Sequence, residues 1–469
     1  MPLSRRWFLA AAAASAASSV ASRPAAAALP ADVDVAIVGA GAAGIAAARK
    51  IAAAGRRFVI LEAGERIGGR CFTDTRSFGL PFDRGARWLH MPDTNPAARL
   101  APSVGLDIYP APPGQKLRIG RRNAREGEME EFLAARVRAQ RAIGEAGRGK
   151  ADVACAQALP KDLGDWRATI EFVLGPHDCG KDLRDISAFD FAKSAERDIN
   201  GFCRQGFGTL LAKLCGAMPV ERSTVVTRID TSTRGRVDLV TARGRLTARA
   251  VIVTASTGVL GGGKIRFDPE PKRQLDAAAK LSLGSYDRIA LRLPGNPLRF
   301  FDDDLVFEKA AGAKTAALLG NVSGTDLCVV DVAGRFGRDL AAQGEAAMVA
   351  FATEWLTSLY GSDAARNIKG GLATRWHEEP FCLGAFSCAS PGNQGARRVL
   401  METFRDRVFF AGEAAHETLW GTVGGAWESG ERAADAALKL VAPARPNAPA
   451  PAARRKKPVR ENPSPPSER

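Results

Sequence analysis

The apolar run Val33-Asp34-Val35-Ala36-Ile37-Val38 is short and nearly unbroken, the pattern of a strand buried on both faces of a parallel sheet. It runs into Gly39-Ala40-Gly41-Ala42-Ala43-Gly44, then an alanine-rich helix predicted over 45–54 and a second apolar strand, Arg57-Phe58-Val59-Ile60-Leu61, ending in Glu62. Further on, the spacing from Glu128 to Ile143 predicts a helix whose charges, including Glu130, Arg136, Arg138 and Arg141, read as a solvated face. Two stretches fit neither period. Ser4-Arg5-Arg6-Trp7-Phe8-Leu9 precedes a weakly apolar Ala/Ser segment, and 443–469 holds eight prolines around Arg454-Arg455-Lys456-Lys457. The first has the layout of a secretory signal of the twin-arginine type over 1–31, which would send the protein through the twin-arginine export machinery to the periplasm or outside the cell. The second cannot bury a core and reads as a solvated basic tail, assigned to 441–469.

The strand, glycines, helix, strand and acid arrive in the order of one βαβ unit that binds a dinucleotide. Gly39 permits the tight turn, Gly41 lets the backbone approach a pyrophosphate, and Gly44 lets the helix pack on the strand. The amides at the helix start, Ala43 among them, would face the phosphates. Glu62 is placed to accept hydrogen bonds from a ribose.

Composition narrows the remaining classes. The chain has 469 residues, 46% hydrophobic and 25% charged, enough for two or more domains with a large core. Its net charge of +15 suggests a nucleic-acid partner until it is located. The segment before Asp32 contributes +3 and the tail from Pro443 +5, leaving a mild +7 for the body, so no nucleic acid is expected. After the first thirty residues no run is long and apolar enough to span a membrane. Eight scattered cysteines without a CxxC pair argue against a disulfide framework, and His90, His177, His377 and His416 lack metal-ligand spacing.

The residues after Glu62 decide the kind of dinucleotide. Glu62-Ala63-Gly64-Glu65-Arg66-Ile67-Gly68-Gly69-Arg70 resembles the E-x-x-x-R-x-G-G-R stretch of the flavin-containing amine oxidases. Asp83-Arg84-Gly85-Ala86-Arg87-Trp88-Leu89-His90 is similar to the family's D-x-G-A-x-W-x-H segment, in the histidine form typical of its polyamine oxidase branch. Trp376, Pro380-Phe381 and Gly384-Ala385-Phe386 resemble its W-x-x-x-P-F-x-x-G-[SC]-[YF] block. Val225-Val226, Val408 to Glu413 and Gly421 to Ala426 resemble three further segments.

The resemblance implies an α/β fold: a discontinuous Rossmann-like FAD-binding domain (32–85, 202–263 and 403–440) with an interleaved α+β substrate domain (86–201 and 264–402). It implies FAD contacts from Gly69 and Arg70 at the pyrophosphate and ribityl chain, and from Gly85, Ala86, Arg87 and Trp88 beside the flavin. Val226 would meet the adenine, Gly412 and Glu413 the ribityl hydroxyls, and Thr422 and Val423 the pyrimidine edge. Trp376 and Phe386 would stand at the reactive face.

Three positions depart from the family pattern. Ala385 stands where monoamine oxidases carry the cysteine that bonds FAD, which implies non-covalent attachment. Thr422 stands where those enzymes place the second tyrosine of an aromatic cage, as it does in lysine-specific histone demethylases; Trp420 either supplies that face or is a core residue. Arg288 replaces the lysine that reaches the flavin through a water, and can only remain a cation.

The expected activity is oxidation of a primary or secondary amine, a polyamine among the candidates, with oxygen as acceptor and hydrogen peroxide as product. Three alternatives stay open: an L-amino-acid oxidase with Arg87 or Arg288 on the carboxylate, a dehydrogenase or desaturase using another acceptor, and a flavin-bound protein without turnover.

Overall fold

A computed structural model describes residues 29–442. The expected leader falls almost wholly outside these residues, as does the basic tail. No helix among the described residues is long and apolar enough to cross a membrane.

Asp32–Val38 lies inside an eight-stranded sheet, parallel to Phe58–Leu61 on one side and Gly244–Val253 on the other. Alternation along the strand explains why nearly every position is apolar. Val35 and Ile37 enter one cluster with the helices Ala42–Ala53 and Val423–Val441, whereas Ala36 and Val38 enter a second cluster with Ala277, Ala278, Ala396 and Leu400. Both faces of the sheet are therefore covered. The two helices cross so closely that a Cβ on Gly430 would lie 2.1 Å from the Ala43 carbonyl oxygen. The last strand, Val408–Phe410, pairs with Val251–Val253.

Two boundaries drawn from the sequence move. Arg266–Asp268 pairs with Val226–Asp230 in this first sheet, and Leu281 and Leu400 share its apolar cluster. The unit thus runs past 263 to about Leu281 and resumes before 403, because its core continues through the helices Lys272–Lys280 and Ala396–Met401.

A seven-stranded sheet forms the second layer, in the order Gly371–Ala373, Tyr286–Arg292, Leu327–Ala333, Ala317–Gly320, Asp304–Glu308, Lys116–Ile119, Arg122–Asn123. Ile289, Leu291, Val330 and Val332 pack on the helix Glu345–Tyr360. The opposite face carries Ala290 and Val329 against Phe82 and Trp88, and the antiparallel register sets Arg288 opposite Asp331 on that same face. The helix Glu126–Ala146 buries Phe132, Ala135, Ala139 and Ile143, one stripe at helical spacing.

Candidate functional site

One cavity of about 1760 Å³ runs between the two sheets. Its first end is built by the glycine turn. Gly39 has φ +103°, and a Cβ there would lie 2.5 Å from Thr254 Oγ1. Gly41 caps the helix Ala42–Ala53 without a side chain, and the first intrahelical bond runs from Ile45 N to the Gly41 carbonyl. The amides of Ala42 and Ala43 therefore precede the helical bonds, and both residues line the cavity. The segment Gly68-Gly69 crosses this turn: Gly68 N donates to the Ala40 carbonyl at 2.8 Å, and a Cβ on Gly69 would be 3.3 Å from Gly41 Cα. Gly44 is off the cavity wall. A Cβ there would lie 2.0 Å from the Gly39 carbonyl oxygen, so this glycine serves the turn and not the cavity surface.

Glu62 and Val226 line the same end. The Glu62 carboxylate accepts from Ala40 N at 2.7 Å and Gly64 N at 2.8 Å. Burial raises its pKa above the usual carboxylate value, against those two amides and the Arg66 charge.

In the middle of the cavity, Arg66 donates to the Gly69 carbonyl at 2.7 Å and lies over the Phe72 ring, while Arg70 donates to the Ala385 carbonyl and to Glu413 at 2.9 Å. Glu413, beside Gly412, also accepts from Ser387 Oγ at 2.7 Å and Gly421 N at 3.0 Å. Burial opposes its charge, but Arg70 and these hydrogen bonds hold its pKa below the usual value. Its role here includes tying the last strand to the Ser387 and Gly421 loops.

At the far end, Gly85, Ala86, Trp88, Trp376, Phe386, Thr422 and Val423 line the wall. Trp376 Nε1 donates to the Arg84 carbonyl at 3.0 Å. The Phe386 ring centroid is 5.9 Å from that of Tyr286, which continues through His177 (6.2 Å) to Phe307 (5.0 Å) as one aromatic wall. The Thr422 hydroxyl is engaged in capping, accepting from Gly425 N at 2.9 Å and donating to the Leu419 carbonyl at 2.6 Å, so it does not stand in for a cage tyrosine. Trp420 is 1% exposed, within an apolar cluster, and still borders the cavity.

Both arginines offered as carboxylate clamps are already paired. Arg87 holds Asp303 at 2.6 Å and Ser323 Oγ at 3.1 Å, with its guanidinium over the Phe202 ring. Arg87 lines the cavity, but its side chain serves a buried ion pair. Arg288 donates to the Asp83 carbonyl at 3.0 Å, and its Nε is 3.4 Å from Asp331 Oδ1; Asp331 Oδ2 accepts from the Tyr286 hydroxyl at 2.9 Å.

The structure also brings to the far wall residues that no motif marked. Arg136, expected on a solvated face, lines the cavity, as do Asp178 and Arg197. The side of the helix Glu126–Ala146 next to its buried stripe meets the cavity, which only the packing of that helix against the aromatic wall determines.

The sequence matches the family described as "Flavin containing amine oxidoreductase" over residues 42–438. The chain belongs to that family. Among flavin-containing amine oxidoreductases, it is similar to polyamine oxidase 4 of Oryza sativa subsp. japonica, 26% identical over 453 residues that cover 87% of this chain and 89% of the relative. It is equally similar, at 26% over 445 residues and 86% of this chain, to lysine-specific histone demethylase 1 homolog 2 of the same organism, of whose length it spans only 57%. Among solved structures, cyclohexylamine oxidase from Brevibacterium oxydans IH-35A matches with a TM-score of 0.72 at 20% identity, covering 87% of this chain and 99% of that one. Putrescine oxidase bound to putrescine matches at 0.73 and 18%, covering 86% and 98%. At these identities the two structures establish the shared α/β fold.

Proposed function

We propose that this flavoprotein is an FAD-dependent amine oxidase that holds its cofactor without a covalent bond. The observation that carries the reading is the continuity of the cavity, from the Glu62 carboxylate and the free amides of Ala42 and Ala43 to the aromatic wall at Phe386 and Tyr286. The close backbone crossing of Gly41 and Gly69, where a Cβ on Gly69 would press on Gly41 Cα at 3.3 Å, suits a pyrophosphate. Glu62 would accept from the ribose, with Val226 at the adenine. Arg66 and Arg70 would hold the phosphates and the ribityl chain, and Ala385 offers no sulfur for a thioether.

A bound FAD supplies the two-electron acceptor that oxygen then reoxidises. The substrate's C–H bond is lost as C=N forms, so that a primary amine R₂CH–NH₂ and O₂ give R₂C=NH and H₂O₂, and water converts the imine to a carbonyl and ammonia. Phe386, Tyr286 and Trp376 orient the amine and exclude water from it. The Val423 end of the helix Val423–Val441 points its positive dipole at this wall and would stabilise a reduced flavin bound there. The test is direct: purified protein is yellow, releases all its FAD on heat or acid denaturation, and forms peroxide in air with some member of a panel of mono-, di- and polyamines and amino acids. Flavin that stays on the precipitated chain refutes the non-covalent reading. Failure of every panel member to bleach the flavin refutes the oxidase.

A second reading keeps the amine half-reaction and replaces oxygen by another acceptor. It is favoured by Arg288, a fixed guanidinium held by the Asp83 carbonyl and Asp331 at the position where the family pattern implies a lysine. Bleaching by amine without recovery in air, restored by an artificial dye, would select it.

Twin-arginine export to the periplasm or beyond is proposed from Arg5-Arg6-Trp7-Phe8-Leu9. Replacing both arginines by lysine should retain folded, flavin-loaded protein in the cytoplasm, and normal export of that variant would overturn the assignment.

A further inference from the structure

The positive charges around the substrate end of the cavity are not equally matched. Arg70, Arg87 and Arg288 each face an acid: Glu413, Asp303 and Asp331. Arg136 and Arg197 do not. Both line the cavity, the Nε of each is buried with no hydrogen-bond partner, and neither is within ion-pair distance of a carboxylate among the described residues. Arg197 is held in place by its Nη2, which donates to the Trp420 carbonyl at 2.6 Å, and by the Trp420 ring 4.9 Å beneath its guanidinium.

The acid that senses both is Asp178. It accepts from His177 Nδ1 at 2.8 Å, and although burial opposes its charge, that bond and the two guanidiniums hold its carboxyl below the usual range. Glu196 and Asp198 also line the cavity, but both are exposed and neither pairs with Arg136 or Arg197, so the two guanidiniums are left to share Asp178. A buried N–H without a partner is costly, so the pair is poised for an acceptor that the protein itself does not provide.

The place adjoins the reactive end. Asp178 lies two residues before Gly180, where a Cβ would be 3.3 Å from the Phe386 ring, and Trp420 precedes Gly421, where a Cβ would be 3.4 Å from it. A single small molecule can therefore reach Phe386 with its amine and this wall with its other end. A diamine or polyamine would bring its second cation up to two guanidiniums that have no ion-pair partner among the described residues. A carboxylate would meet two planar forks that match its oxygens.

We propose that the substrate is an amine bearing a carboxylate, and that Arg136 and Arg197 bind that carboxylate. The proposal rests on the amine oxidase reading and names its substrate class.

The test uses the FAD-loaded full chain and four compounds of one chain length: the monoamine, the diamine, the ω-amino acid and the α-amino acid. One of the two aminocarboxylates should have the highest kcat/KM by peroxide release. Arg136→Met and Arg197→Met should each raise its KM, relative to that of the monoamine, by roughly 10- to 100-fold, the loss expected for one charged hydrogen bond. Calorimetric titration with glutarate, which carries carboxylates and no amine, should show binding to the wild type and none to the double variant. Should the methionine variants fail to fold, Arg136→Lys and Arg197→Lys keep the charge but lose the fork, and should weaken glutarate binding to a smaller extent. A preference for the diamine, or glutarate binding that is absent from the wild type or equal in the variants, overturns the proposal. Arginine-dependent glutarate binding without flavin bleaching by any of the four compounds would instead sink the oxidase reading and leave the anion site standing.

Discussion

Arg288 and Asp331 form a pair that can be tested by removing each member alone and both together. Their side chains are 3% and 7% exposed, and strand register sets them opposite each other across the sheet. Arg288→Met strands the Asp331 carboxylate with only the Tyr286 hydroxyl as donor, and Asp331→Asn strands the guanidinium with only the Asp83 carbonyl. Breaking a buried pair from one side costs about 3–5 kcal/mol, because the charge left behind is uncompensated. The double variant leaves neither charge; beyond the pair it loses the bond to the Asp83 carbonyl, roughly 1.5–3 kcal/mol for a charged donor. Its loss should therefore be no greater than that of a single variant, a coupling of about 3 kcal/mol or more. At about 2.1 cal/mol/K of unfolding entropy per residue, a loss of ~4 kcal/mol lowers the melting temperature of a chain this long by about 4 °C. Thermal release of flavin fluorescence, with tryptophan fluorescence as a second probe, reads all four proteins. If the two single losses simply add in the double variant, within about 0.5 kcal/mol, the pair does not interact and Arg288 is held by something else.

Gly85→Ala should lower the flavin retained per polypeptide, since its Cβ would lie 1.9 Å from the Arg70 carbonyl oxygen and 3.0 Å from Trp376 Cζ2, and relieving such an overlap costs roughly 1–3 kcal/mol. An unchanged ratio of flavin to protein absorbance would count against that contact. Burial raises the Asp287 carboxyl to about 6, against hydrogen bonds from Trp376 N and the Thr374 hydroxyl. Between the unfolded value and that one the folded chain alone holds the proton. The group's penalty of about 3 kcal/mol is thus fully present above pH ~6 and fades as pH falls toward ~4. Asp287→Asn should flatten this part of the pH dependence of the melting temperature, and an unaltered slope would refute the assignment.

The glycine-turn end of the cavity was legible in the sequence because its geometry is local. Gly39, Gly41 and Glu62 do their work within one turn or one strand of each other, so spacing alone carried the reading. Gly44 packs the helix against the Gly39 carbonyl and lies off the cavity wall. Arg87 and Asp303 are 216 residues apart, and nothing near either announces the other. The same holds for Arg136, whose place on the cavity wall follows from how one helix docks, and for the domain limits near 263 and 403, where an apolar cluster continues through helices that no motif marks. Thr422 was located at the correct turn, but its hydroxyl is committed to capping the helix that begins there, a choice made by backbone geometry.

The pairing of Val408–Phe410 with Val251–Val253 has a consequence during synthesis. Until that last strand leaves the ribosome, the inner half of Gly244–Val253 has an open edge in the middle of the sheet, and the helix that closes against Ala42–Ala53 does not yet exist. At about 5–20 residues per second, roughly 20–80 s separate the glycine turn from the helix Val423–Val441. The nascent chain therefore presents only one wall of the proposed dinucleotide site and no enclosure, and a chain cut short before 408 would expose an unpaired apolar strand instead of that cavity.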